Sequence, residues 1–210
     1  MKKIIIMGPP GSGKGTQAEK LAQYFNILHI STGEIFRDAL QAGTALGKRI
    51  DKVMRSGQLV DDNTTNQIVA ERLEQGDVQQ GYVLDGYPRN INQAVALARY
   101  GQIDLAIDLR VRDTVVMKRL ASRRHCEKCG RKYNLLIDKP QQENICDDCG
   151  GNLILRVDSQ PEVIAERLVV YHVNNDPLVK YYEQQGLLLI IDGEPDIDTV
   201  WQNIKKSINL

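Results

Sequence analysis

The 210-residue sequence predicts an α/β fold: a parallel sheet flanked by helices on both faces. Three observations carry this. Short apolar, β-branched runs recur along the chain, amphipathic helical patterns separate them, and the first run ends in a glycine-rich loop that opens a helix.

Residues 3–7 read as a buried parallel strand, because the run is apolar throughout rather than alternating. After the glycines, Ala18, Leu21, Ala22 and Phe25 fall at i, i+3, i+4 and i+7, the stripe of an amphipathic helix. Residues 28–30, 82–84, 105–109 and 187–191 are further strands, five in all. Helices are expected over 64–73, 91–99, 114–122, 162–182 and 197–208, the last opened by Asp196 as its cap. Two stretches break the alternation. Residues 31–60 are mainly polar and helical with no strand, and residues 123–158 carry every cysteine together with Gly130, Gly150, Gly151 and short hairpin-like pieces. Both read as insertions into one core, and the sequence shows no internal repeat.

Composition narrows the class. With 42% hydrophobic and 26% charged residues the chain matches globular averages, which excludes disordered, collagen-like and low-complexity proteins. Lys+Arg and Asp+Glu both total 27, so a globally basic nucleic-acid binder or an acidic tail protein is not expected. Apolar runs such as Leu187 to Ile191 are far too short to cross a bilayer. Lys2 and Lys3 before Ile4 to Met7 imitate the start of a signal peptide, but the apolar part breaks off at Gly8-Pro9-Pro10-Gly11. A soluble cytoplasmic protein is the expectation.

The strongest signal is Gly8-Pro9-Pro10-Gly11-Ser12-Gly13-Lys14-Gly15-Thr16. Glycines let successive backbone N–H groups point inward at phosphate oxygens. The helix N-terminus adds a positive dipole, and Lys14 adds a full charge. The usual phosphate loop has Ser or Thr directly after its lysine; here Gly15 intervenes before Thr16. Asp85-Gly86-Tyr87-Pro88-Arg89 follows a strand, and ligands bind beyond the carboxyl ends of parallel strands. Asp85 there can hold Mg²⁺ through water, and Arg89 can fork onto a phosphate. Gln93, one helical turn on, can read a base edge. Arg119 and Arg123 are spaced i, i+4 on an expected helix, sharing a face that calls for an anion between them. Arg156 and Arg167 flank the far end of the cysteine insertion, and from Lys118 to Lys132 seven Lys/Arg face one acid, Glu127. A strongly positive cleft is expected, balanced by acids elsewhere, five of them between Glu183 and Asp198.

Cys126-Glu127-Lys128-Cys129-Gly130 and Cys146-Asp147-Asp148-Cys149-Gly150 are two knuckles separated by sixteen residues. Each presents two thiolates, and together they make a closed tetrahedral site, the signature of structural zinc. Thiolates also accept iron or cobalt, and disulfide or redox use is the alternative. His125 reads as surface or outer-sphere, and His29 and His172 as structural residues without partners.

In order and spacing, these features resemble adenylate kinases, specifically the long-lid, zinc-containing bacterial form, over nearly the whole chain. Ser31-Thr32-Gly33-Glu34-Ile35-Phe36-Arg37 belongs to the same resemblance. It implies a P-loop NTPase fold with a five-stranded parallel sheet, and a core of residues 1–30, 61–122 and 160–210. Residues 31–60 would form the monophosphate-binding domain and 123–159 the lid. The implied activity is Mg²⁺-dependent ATP + AMP ⇌ 2 ADP by in-line transfer, which balances adenine nucleotides. The protein would be a monomer that engages ATP, AMP and ADP but neither nucleic acid nor membrane.

By the same resemblance, Gly11, Ser12, Gly13, Lys14, Gly15 and Thr16 bind the ATP phosphates. Arg119, Arg123, Lys132 and Tyr133 contact ATP, and a main-chain carbonyl near Pro195 meets its adenine. Thr32, Arg37, the backbone of Gln58, Leu59 and Val60, then Gly86, Tyr87, Pro88, Arg89 and Gln93 bind AMP, with Gln93 reading adenine. Lys14, Arg89, Arg119, Arg123, Arg156 and Arg167 surround the phosphoryls as catalytic residues, Arg156 and Arg167 also reaching AMP. Tyr87–Pro88 would be a cis peptide. One position departs: Asp158 is followed by Ser159, where the family pattern has paired acids. The residues also permit a kinase for another monophosphate, or one with GTP as donor. In a different class, they permit a zinc-ribbon nucleic-acid- or protein-binding module with a switch NTPase, although aromatics for base stacking are few.

Overall fold

The computed structural model describes residues 2–208. Five parallel strands form the central sheet: β1 (Lys2–Met7), β2 (Leu28–Ser31), β3 (Gly81–Asp85), β4 (Leu105–Arg110) and β8 (Leu188–Asp192), in the order β2-β3-β1-β4-β8. Ile4 pairs with Val83 on one side and Leu105 on the other, so β1 is buried at the centre. Side chains alternate across a strand, and both faces are apolar here. Ile5 and Met7 join Leu84, Ala106, Leu178 and Tyr182 on one face. Ile4 and Ile6 join Val83, Ile107, Leu109, Leu21 and Ile204 on the other.

Helix α1 (Lys14–Phe25) and α8 (Ile197–Ser207) cover that second face, while α4 (Asp62–Leu73), α5 (Ile91–Leu97) and α7 (Pro161–Gln184) cover the first. Asp196 caps α8 as the sequence predicts, accepting from the N–H groups of Asp198 and Thr199. α7 runs unbroken through Pro177, two residues past its expected end. Among the described residues, no helix is long and apolar enough to cross a membrane.

The two irregular stretches leave the carboxyl edge of this sheet. After β2, α2 (Thr32–Gln41) and α3 (Ala45–Ser56) pack on one another through Phe36 and Ile50, with Val60 from the following segment in the same cluster. After α6 (Asp113–Ala121), three short strands make a separate antiparallel sheet in the order β6-β5-β7: β5 (Arg123–Cys126), β6 (Lys132–Asn134) and β7 (Leu153–Ile154). This corrects one expectation. α6 ends at Ala121, so Arg119 lies on the helix while Arg123 opens a strand, and the two do not share a helical face.

Leu120 links core to loop. It is fully buried with Val116, Ile164 and Leu168, and a Cβ placed on Gly11 would lie 2.9 Å from its Cγ. The phosphate loop therefore rests directly on this side chain. Leu120→Ala is expected to lower the unfolding free energy by about 2–5 kcal/mol, read by urea denaturation.

Candidate active site

One cleft of about 960 Å³ is lined by Ser31 and Asp85 at the ends of β2 and β3 and by the loops that follow β1 and β8. β1 leads into the phosphate loop. Gly13 caps α1 with φ 93°, a left-handed conformation that glycine adopts without strain. Gly15 explains the departure from the usual motif. A Cβ there would come within 3.3 Å of Asp85 Oδ2, so a side chain directly after Lys14 would crowd the carboxylate at the end of β3. Asp85 accepts from Ser31 Oγ at 3.1 Å through Oδ2, and its buried Oδ1 has no partner. An unmatched carboxylate oxygen beside a phosphate cradle fits a water-held Mg²⁺. Ser12 Oγ in the loop is likewise buried and unpartnered.

Cations gather opposite. Lys14, Arg37, Arg89, Arg119, Arg123, Lys132, Arg156 and Arg167 all line this cleft, together with Gly11, Ser12, Gly13, Gly15, Thr16, Asp85, Tyr133 and Pro195. Burial lowers Lys14 to about 7; Asp85 opposes this, and Arg89, Arg167 and Arg123 reinforce it. Burial, then Arg156 close by, brings Arg37 down to about 10. Burial, then Arg156 and Arg167, brings Arg123 to about 9, and burial with Arg167 brings Arg89 to about 10. Burial would raise the Asp158 carboxyl, but Arg156 and Arg167 overcome it and hold the group far below the carboxylate range. Asp158 is clasped by Arg156 at 2.6 and 3.0 Å and by Arg167 at 3.2 Å. Ser159 does not replace a second acid; its hydroxyl only grazes Asp158 Oδ1 at 3.4 Å.

Several of these side chains also have partners within the protein. Arg119 donates to the carbonyls of Gly193 at 2.8 Å and Glu194 at 2.7 Å, with Pro195 and Ser12 each at 3.4 Å, so it ties the loop after β8 to the phosphate loop. That loop, with Glu194, Asp196 and Asp198, lines the same cleft, so these acids are not remote from the cations. Lys132 is paired with Glu34, tying β6 to α2. Tyr133 is buried, and its hydroxyl accepts from Asp147 N–H at 2.8 Å and lies 3.5 Å from Cys146 Sγ, which directs its polar end at the cysteines. Gln58 donates its amide to Glu166. His29 Nε2 is buried without a hydrogen-bond partner, 3.9 Å from Asp85 Oδ2, whereas His172 Nε2 meets Asp113 Oδ2 at 3.0 Å, which corrects the expectation for His172 alone.

A smaller cavity of about 90 Å³ adjoins Lys14, Leu59, Gly86, Pro88, Arg89 and Arg167. Behind its wall, Thr32 donates to the Gly86 carbonyl at 2.9 Å, Arg89 Nε reaches the same carbonyl at 2.7 Å, and Gln93 accepts from Arg89 N–H at 2.8 Å. Val60 is packed among apolar neighbours, and the Tyr87–Pro88 peptide is cis. Sequence reasoning missed Glu34 as a partner of Lys132, Asp62 as a partner of Gln93, and Ser31 as a partner of Asp85. Each is an ordinary polar residue in a helical or strand-end context, and only the fold supplies its partner.

The four cysteine sulfurs lie within 4.8 Å of one another, with Cys126–Cys149 at 3.4 Å and Cys129–Cys146 at 3.6 Å. None forms a disulfide. Tetrahedral Zn–S bonds of 2.3 Å require sulfurs about 3.8 Å apart, so the donor set fits. Gly130 and Gly150 take φ of 76° and 67° just after each knuckle, and their N–H groups return to the carbonyls of Cys126 and Cys146. Apart from sulfur-bearing residues, this small sheet buries only Tyr133 and Leu153 in its cluster.

A phosphate cradle faced by arginines that arrive from two inserted segments is built to move a phosphoryl group between nucleotides; the class is that of the nucleoside monophosphate kinases, which are transferases. Comparison with known proteins narrows this. The family model described as adenylate kinase matches residues 6–187. Adenylate kinase of Syntrophomonas wolfei is 46% identical over 210 residues, 98% of each chain. That of Caldanaerobacter subterraneus is 43% identical, covering 98% of this chain and 96% of its own. That of Archaeoglobus fulgidus is 42% identical over 96% of this chain and 95% of its own. The chain belongs to the adenylate kinase family.

Two outcomes follow from the geometry. Cys129→Ser should lower both metal content and melting temperature, measured by elemental analysis and thermal scans of the purified protein. Lys14 titrates at about 7 when folded against 10.5 ordinarily. The unfolded chain therefore binds more protons between those values, and this group's contribution to stability rises with pH across that window. A bound polyphosphate favours the charged lysine, so binding takes up protons. Triphosphate affinity should fall from pH 7 to 9, with net proton uptake seen by calorimetry in buffers of different ionisation heat, and Lys14→Met should abolish that uptake.

Proposed function

We propose that this chain catalyses reversible phosphoryl transfer, ATP + AMP ⇌ 2 ADP, and so balances the adenine nucleotides. The observation that carries the reading is the convergence of Lys14, Arg37, Arg89, Arg123, Arg156 and Arg167 on one cleft, from the core and both insertions. Gly11 to Thr16 with Lys14 would hold the ATP phosphates, Arg119 and the carbonyl at Pro195 the donor base, and Arg123, Lys132 and Tyr133 the lid side. Thr32, Arg37, the 58–60 backbone, Gly86 to Arg89 and Gln93 would hold AMP.

An oxygen of the AMP phosphate attacks the γ-phosphorus in line, and the bond from that phosphorus to the β–γ bridging oxygen breaks. The attacking oxygen is already anionic, so no base is required. Positioning and charge stabilisation do the chemistry. Mg²⁺, carried with ATP and held through water by Asp85, would neutralise charge on the β- and γ-oxygens. The arginines stabilise the charge that spreads over the transferring group. Residues 31–60 and 123–159 act as domains that close, and the Lys132–Glu34 pair joins them across the cleft. Closure excludes water, which otherwise accepts the phosphoryl group. Zn²⁺ held by Cys126, Cys129, Cys146 and Cys149 would fold the lid, whose own apolar cluster is small. Four cysteines kept as free thiols suit a cytoplasmic protein, and we read it as a monomer.

Lys14→Ala and Arg123→Ala should each cut turnover by about 10²-fold or more while circular dichroism stays native. Full activity in either variant would overturn the reading. A panel of AMP, UMP, CMP and GMP crossed with ATP and GTP should give AMP with ATP as the preferred pair.

A further inference from the structure

Gln93 is 1% exposed, and both ends of its amide are engaged. Nε2 donates to Asp62 Oδ1 at 2.8 Å, and Oε1 accepts from Arg89 N–H at 2.8 Å. Asp62, in the first turn of α4, gathers neighbouring amides as well. Asn90 Nδ2 donates to the same oxygen at 2.9 Å and Asn92 Nδ2 reaches the other at 3.4 Å. Asn90 is itself fixed, since its Oδ1 accepts from Gln93 N–H at 2.9 Å as the cap of α5. The chemistry of this lock runs one way. A carboxylate only accepts and a main-chain N–H only donates, so the Gln93 nitrogen must face Asp62 and its oxygen must face Arg89. Turning the amide over would set oxygen against carboxylate and NH₂ against N–H, on a side chain that is itself buried.

We propose that Asp62 is a specificity-determining positioning residue. By locking the Gln93 amide it makes the monophosphate site select a 6-aminopurine over a 6-oxopurine. This rests on the reading of Gln93 as the residue that meets the acceptor base. After its protein bonds the amide retains one N–H and one oxygen lone pair, in fixed order. A 6-aminopurine offers a donor amino group beside a ring-nitrogen acceptor; a 6-oxopurine places an acceptor at the same position. A freely turning glutamine would serve either base by flipping. A locked one serves the 6-amino pattern alone, given AMP as the acceptor. Asn at position 62 carries a donor as well as an acceptor, so it removes one of the two constraints and leaves the Arg89 N–H alone to order the amide.

The test compares kcat/KM for AMP and inosine monophosphate, which differ at the 6-position, with ATP as donor. Full-length wild type, Asp62→Asn and Gln93→Leu are assayed together. The AMP preference should fall about tenfold or more in Asp62→Asn, through a higher KM for AMP and a gain with inosine monophosphate. Asp62→Glu, which keeps a carboxylate, should retain more of the preference than Asn. The ratio cancels the amount of folded enzyme, so a merely structural role for Asp62 would leave it unmoved. An unchanged ratio in Asp62→Asn alongside a collapsed ratio in Gln93→Leu overturns the positioning role alone. An unchanged ratio in Gln93→Leu overturns Gln93 as the base reader, and this inference with it. Should Asp62→Asn not fold, Asp62→Ser removes the same carboxylate and is read the same way.

Discussion

The structure is organised around mutual repulsion. Lys14, Arg37, Arg89, Arg123, Arg156 and Arg167 line one cleft, and burial together with their neighbours' charge lowers the affinity of several for the proton. Acids also line the cleft, but two stand closest to this group of cations. Asp158 is clasped by two arginines, and Asp85 keeps one buried oxygen without a partner. Charges held this way in a site of low dielectric are stabilised by a polyanion far more than they would be in water. The same repulsion opposes close approach of the insertions unless an anion lies between them.

Everything else serves to hold those charges in place. Parallel strands deliver their carboxyl ends to one edge, which sets the phosphate loop, Asp85 and the 193–196 loop side by side. Buried Leu120 supports the phosphate loop from below. The insertion carrying Arg123 and Arg156 buries only a small apolar cluster, and its four sulfurs, within 4.8 Å of one another, are compatible with a metal cross-link. Polar positioning continues further out, where Arg119 braces the loop after β8 and Asp62 fixes the amide of Gln93.

Much of this is legible in the chain. The five strands and their flanking helices follow from apolar runs and helical periodicity, and the phosphate loop and both knuckles follow from spacing within a few residues. Errors fall where the answer depends on contacts between distant segments. Arg123 seemed to continue the helix of Arg119 because local sequence does not mark where α6 gives way to β5. The partner of Lys132 within the protein, Glu34, lies some hundred residues away in the chain and is not marked by local sequence. The acids after Leu188 were expected away from the cations, but the fold returns that loop to the same cleft.

The sequence by itself determined the local chemistry: a glycine-rich anion cradle, a closed set of four thiolates, and a sheet buried on both faces. These depend on residue type and on spacings of a few positions, which the backbone enforces wherever they occur. Only the tertiary structure decided which charges meet. Asp62 with Gln93 and Glu34 with Lys132 are pairings across folded distance. Electrostatic and hydrogen-bond energies depend on separation and orientation in space, and neither is written in the order of the residues.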